Sequence, residues 1–97
     1  MNINEGKIVF NYLKNKNKSE REAYIEYDNM TLEKRNFILK NIIISYLVDS
    51  YWNSLLFDHV NWSPDKRRLR IMDYVIYQYN KMDEEERETI IEKILYG

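Results

Sequence analysis

The run IIISYLV, residues 42–48, is the most apolar stretch of the chain, and two folds compete for it. β-Branched and aromatic residues of this kind favour strands. Yet apolar positions recur at helical spacing on both sides, and no turn residue isolates the run. Leu32, Phe37, Ile38, Leu39, Ile42, Ile43, Tyr46, Leu47 and Tyr51 extend the pattern into one long helix, and Thr31 stands at its N-cap with Glu33 in the first turn. The spacing therefore predicts a central helix over about residues 31–56. It is apolar around most of its circumference near 42–48, as a buried helix is. The Asp49-Ser50 pair is a candidate kink, and the helix is expected to end between Asn53 and Phe57. The run is far shorter than the roughly 20 residues a membrane-spanning helix requires.

The start of this helix belongs to a phrase written twice. Residues 27–43, YDNMTLEKRNFILKNII, align with residues 79–95, YNKMDEEERETIIEKIL. They agree at Tyr, Met, Glu, Arg and two isoleucines. Each phrase reads as a helix-to-helix elbow. The Tyr anchors the end of one helix, the Met fills the corner, Thr31 or Asp83 caps the next helix, and the isoleucines set its buried stripe. Cap and stripe residues also recur in unrelated helices, so common ancestry of the two phrases stays open.

The rest of the chain falls into place around these elbows. Ile8, Val9, Tyr12 and Leu13 predict a short helix over 5–14 with Asn4 as its N-cap. The polar stretch 15–19 reads as a loop, and Ser19 caps a second helix whose Ala23, Tyr24 and Tyr27 face inward. Glu20 and Glu22 complement the positive end of that helix. Ser63-Pro64-Asp65 is a strong helix start, and it opens a helix over 64–81 with Leu69, Met72, Val75, Ile76 and Tyr79 on one face. Asp83 caps the last helix, with Glu86 placed to complete a capping box and Ile90, Ile91, Ile94 and Leu95 on the inner face. The expectation is a single all-α domain over residues 1–97: a four- to five-helix bundle of two helical hairpins, 19–56 and 64–96, around the long central helix.

Composition narrows the chemistry. The chain carries 15 basic and 16 acidic residues, a net charge of −1, without the basic excess usual in a dedicated nucleic-acid binder. It has no cysteine, which excludes thiolate metal sites and cysteine nucleophiles and favours a reducing compartment such as the cytoplasm. The N-terminus lacks the basic-then-apolar pattern of a secretory signal. Isoleucine, asparagine, lysine and tyrosine supply about two-fifths of the residues. Their AT-rich codons suit a low-GC bacterium, its phage or a plasmid.

His59, the single histidine, stands alone in the connection 57–63, where a loop position explains it better than catalysis or metal binding. Asp83, Glu84, Glu85, Glu86 and Glu88 cluster at a helix start, where capping and the helix dipole account for them. No catalytic or cofactor motif is present, and no cofactor or metal is expected.

Two constellations remain. Tyr51, Trp52, Phe57 and Trp62 gather at one junction, and such residues anchor protein interfaces as well as cores. Lys66, Arg67, Arg68 and Arg70 crowd the first turns of helix 64–81. There they oppose the helix dipole and form a candidate phosphate contact. A DNA-reading helix-turn-helix fits poorly, because the 57–63 connection is long and the last helix begins with acidic residues. The functional expectation is a non-enzymatic cytoplasmic interaction module, a regulator, inhibitor or accessory protein. It would bind a protein partner or a second copy of itself through the aromatic junction. Nucleic-acid binding through the basic helix start is the alternative.

Overall fold

The structure is a computed structural model, and it describes residues 1–52 and 61–97. Among the described residues it contains five helices and no strand: α1 Ile3–Lys16, α2 Glu20–Asn29, α3 Leu32–Tyr51, α4 Pro64–Lys81 and α5 Glu84–Tyr96. The all-α class is as the sequence indicates, and residues 42–48 are helical throughout. The helix passes through Asp49-Ser50 to Tyr51, with the Ser50 hydroxyl donating to the Tyr46 carbonyl at 2.9 Å. The expected continuation to 56, together with Leu55, Leu56, Phe57 and His59, lies outside the described residues. Among the described residues no helix is long and apolar enough to cross a membrane.

Four helix starts carry the caps their sequences call for. Ser19, Thr31, Ser63 and Asp83 each accept a hydrogen bond from the backbone N–H three residues on, at 3.2, 3.2, 3.3 and 2.8 Å. Each satisfies one of the donors a helix start leaves orphaned. Two expectations shift. α1 begins at Ile3, and its cap is Asn2, not Asn4. The reciprocal capping box forms there, between Asn2 and Glu5, whereas at Asp83 only the forward bond from Glu86 N–H forms. Asn4 is used elsewhere: its amide donates to Glu88 at 2.9 Å and binds α1 to α5.

The helices pack as a three-helix core with two flanking helices. α1, α3 and α5 contact one another, while α2 lies on α1 and α4 lies on α3. The close pairs are thus α1 with α2 and α3 with α4. The two segments joined by the repeated phrase, α2–α3 and α4–α5, diverge at their elbows instead of lying side by side. The reason is local. Met30 and Thr31, and likewise Met82 and Asp83, are consecutive residues in extended conformation, which swings the next helix away from the last. α1 therefore shares the centre with α3. Val9 and Leu13 of α1 are fully buried beside Ile43 and Val48 of α3, Ile71 and Val75 of α4 and Ile91 of α5.

Five side chains expected on apolar faces are outside, Tyr12, Tyr24, Leu32, Phe37 and Leu69. Phe37 is 65% exposed and Leu69 63%, and Tyr24 is also mostly exposed. For Phe37 and Leu69 the buried residue is two positions further on, Leu39 and Ile71. Two residues are about 200° apart around a helix, so both cannot face one neighbour. Tyr24 lies over Phe10, ring centroids 4.4 Å apart, at the edge where only α1 covers α2.

The two elbows repeat in detail. Met30 N–H bonds the Tyr27 carbonyl and Met82 N–H the Tyr79 carbonyl, both at 3.2 Å. The Arg common to both phrases reaches back over the common Tyr: Arg35 stands 4.0 Å from the Tyr27 ring centre, Arg87 5.3 Å from that of Tyr79. Arg35 also donates to the Tyr27 carbonyl at 2.6 Å. The corner methionine is buried in the first elbow and half-buried in the second.

The α1–α2 turn holds a carboxylate in a donor cluster. Asn17 donates to Glu26 at 2.8 Å and Lys16 pairs with it at 3.4 Å. The Asn17 amide holds the Glu26 carboxyl below its ordinary value; burial opposes it, and the Lys16 and Lys34 charges add smaller downward effects. A carboxyl that ionises more readily folded than unfolded stabilises the fold above its unfolded value. That stabilisation disappears as pH falls through the folded value. Melting temperature should therefore decline less steeply in Glu26→Gln than in the wild type across the acid range. Parallel declines would show that this cluster contributes nothing.

Candidate interaction surfaces

At the α3–α4 junction the sequence-selected residues are largely occupied with one another. Trp52 follows the last turn of α3, where carbonyls lack helical donors. Its carbonyl accepts from Arg67 Nε at 3.0 Å and also from Arg67 Nη2. The same guanidinium lies 5.5 Å from the Trp52 ring centre. A cation at a helix C-terminus is favourable, so Arg67 closes the end of α3 and binds it to the start of α4. Tyr51 packs edge-on against Tyr74 at 5.3 Å, and Lys66 lies 5.9 Å from the Trp62 ring centre. Tyr51, Trp52 and Trp62 are half-buried. Phe57, the fourth member of the expected aromatic set, lies outside the described residues. Of the four cations read as a phosphate contact, Lys66, Arg68 and Arg70 are exposed on α4, while Arg67 is engaged as described.

The acidic start of α5 lines a cleft of about 750 Å³, between Glu84, Glu85, Arg87, Glu88 and Ile91 on one side and Met1, Asn2 and Glu5 on the other. Glu88 accepts from Asn2 at 3.1 Å and from Asn4, so part of this charge serves to hold α1 on α5. Among the described residues no group of three or more His, Asp or Glu side chains could hold a metal ion.

A different surface is both apolar and open. A groove of about 320 Å³ runs between α1 and α3, lined by Tyr12, Phe37, Ile38, Asn41, Ile42 and Ser45. None of the six is charged, in a chain that is 32% charged. Phe37, Asn41 and Ser45 stand four residues apart, in one row along the exposed side of α3. Sequence reasoning passed over this face by assigning Phe37 to the core. The available signal was the row itself, since Asn41 and Ser45 share its side of the helix and are poor candidates for burial.

Comparison with protein-family models, with curated proteins and with solved structures finds no match to this chain.

Proposed function

We propose that the chain is a non-enzymatic interaction module, a small regulator, inhibitor or accessory protein that works by presenting a helical face to another protein chain. The observation that carries this reading is the uncharged groove between α1 and α3, with Phe37 about two-thirds exposed and Tyr12 44% exposed at its edge. Large aromatic side chains left in water at an apolar groove are the usual anchors of protein interfaces. The junction of Tyr51, Trp52 and Trp62 becomes the secondary surface, because its rings already have internal contacts. A cysteine-free chain of this kind suits work in the cytoplasm.

Chemical crosslinking of the full-length chain in an extract of its native host, read by mass spectrometry, tests the reading. The expected products join this chain to a second protein chain, identical or different, and diminish when Phe37→Asp is introduced. The competing reading, nucleic-acid binding by Lys66, Arg68 and Arg70, is tested by titrating labelled duplex and single strands at two salt concentrations. Three phosphate contacts would give a salt slope of about −2.7 on duplex DNA. Absence of protein crosslinks together with such a slope would replace the interaction reading with the nucleic-acid one.

A further inference from the structure

The repeated elbow provides an internal comparison, and its two copies are not equally secured. We infer that the second elbow is an oxidation-sensitive hinge. Attack by a peroxide on the Met82 thioether loosens the α4–α5 corner and lets α5 come away from α1 and α3, while the first elbow stays shut. The hinge does not depend on any partner.

Four observations set the two corners apart. The first is the corner methionine. Met30 is only 8% exposed, whereas Met82 is half-buried at the edge of the core. The second is the arginine. Arg35 stands 4.0 Å from the Tyr27 ring centre and also holds the Tyr27 carbonyl. Arg87 stands 5.3 Å from the Tyr79 ring centre and, among the described residues, has no such bond to a carbonyl. The third is charge. α5 begins with Asp83, Glu84, Glu85 and Glu86, all exposed, and neighbours of one sign repel. α3 begins with Glu33 followed by Lys34 and Arg35, where the signs balance. The fourth is burial. α3 buries Leu39, Ile43, Ile44, Leu47 and Val48, whereas α5 buries Ile91 alone. Local opening starts where few apolar contacts are buried, so α5 is the easier of the two helices to release.

A peroxide acts on this difference. The thioether sulfur attacks one oxygen of hydrogen peroxide. An S–O bond forms, the O–O bond breaks, and the other oxygen leaves as water with both of the peroxide's protons. The sulfur is oxidised and the peroxide reduced. The sulfoxide is polar, so it no longer fits an apolar corner. Met30 must be uncovered before it can react, whereas Met82 already meets solvent. Release of α5 breaks the bonds from Asn2 and Asn4 to Glu88 and uncovers the sides of α1 and α3 that α5 covers.

Hydrogen exchange of the full chain, read by mass spectrometry before and after graded hydrogen peroxide, tests the hinge. Met72→Leu serves as the background, because Met72 is the other half-buried methionine. Met82 should be oxidised several-fold faster than Met30. Amides of α5 should then exchange several-fold faster, with those of α1 and α3 little changed. Met82→Gln should speed α5 in the same way without oxidant, since it places a polar amide at the corner. Met82→Leu should abolish the response, even though Met1, 41% exposed, is still oxidised.

Equal oxidation of Met30 and Met82 overturns the inference. So does an oxidised Met82 that leaves exchange in α5 unchanged. Acceleration of equal size in α1, α3 and α5 would mean that the whole bundle loosens without a hinge, and overturns it too. A response that persists in Met82→Leu assigns the effect to another residue, with the same consequence.

Discussion

Leu13→Ala is expected to cost about 3 kcal/mol of stability, within the range for leucine truncation in a core. Leu69→Ala is expected to cost under about 0.5 kcal/mol, as exposed substitutions do. The chemistry of the two changes is identical, and their surroundings differ completely. Leu13 is fully buried on α1, the helix that contacts α2, α3 and α5. Truncating it removes transfer free energy and leaves a cavity that neighbours on several helices would all have to move to close. Leu69 is 63% exposed near the start of α4, where truncation opens no cavity.

For a domain whose total stability is of order 5–10 kcal/mol, the first change removes a large share. It should lower the melting temperature by more than about 10 °C, because 1 kcal/mol corresponds to about 4–8 °C at this size. Denaturant titration should give a lower midpoint for Leu13→Ala at unchanged slope, and wild-type values for Leu69→Ala. Equal losses would mean that α4 lies on α3 through a different side. A small loss at Leu13 would mean that α1 is peripheral. Either result would refute the three-helix core.

The contrast also marks where the sequence is legible. Helix starts could be read because a cap is a local device. Ser19, Thr31, Ser63 and Asp83 each need only a backbone N–H three residues away. Burial is not local. On α4, Leu69 and Ile71 are both apolar and both fit a helical stripe with their neighbours, and only the position of α3 selects Ile71. On α3 the same choice falls between Phe37 and Leu39, and it decides whether the groove has an exposed aromatic. Asn2 and Asn4 offer equivalent cap chemistry, and the presence of Glu88 across the α1–α5 interface draws Asn4 away. Arg67 was least legible, since its partner is the backbone carbonyl of Trp52, a group that every residue possesses. A cluster of cations in sequence cannot distinguish a side chain that closes a helix end from one that awaits a phosphate. The repeated phrase itself encodes a pairing of the shared Arg35 and Arg87 with the shared Tyr27 and Tyr79, because all four fall at matching positions.

That pairing yields the second large effect, from the double substitution of Arg35→Met and Arg87→Met. Methionine keeps an unbranched apolar stem and removes the guanidinium. At the first elbow this deletes a charge-assisted bond to the Tyr27 carbonyl and a cation 4.0 Å from its ring. At the second it deletes the cation over Tyr79, 5.3 Å away, where Lys40 of α3 also approaches at 5.6 Å. Hydrogen bonds to charged groups contribute about 1.5–3 kcal/mol. A partly desolvated cation over a ring adds about 1 kcal/mol. Against this, Nε of both arginines is buried without a hydrogen-bond partner among the described residues, and methionine relieves that cost. The balance predicts a loss of about 1–2 kcal/mol for Arg35→Met and about 0.5–1 kcal/mol for Arg87→Met. The elbows share no partner, so the losses should add.

Tyr27→Leu separates the ring from the carbonyl, because it removes the stack and leaves the backbone acceptor in place. A double-mutant cycle of Tyr27→Leu with Arg35→Met should return a coupling of about 0.5–1 kcal/mol. A coupling near zero would assign the effect to the carbonyl bond alone. If Arg35→Met is as stable as the wild type, the buried Nε cancels everything the guanidinium gains. The elbows would then be held by their extended corners and corner methionines without help from the arginines. If both substitutions destabilise, in the expected order, the repeated phrase encodes one mechanical unit used twice, in which an arginine from each new helix locks the tyrosine that ends the one before it.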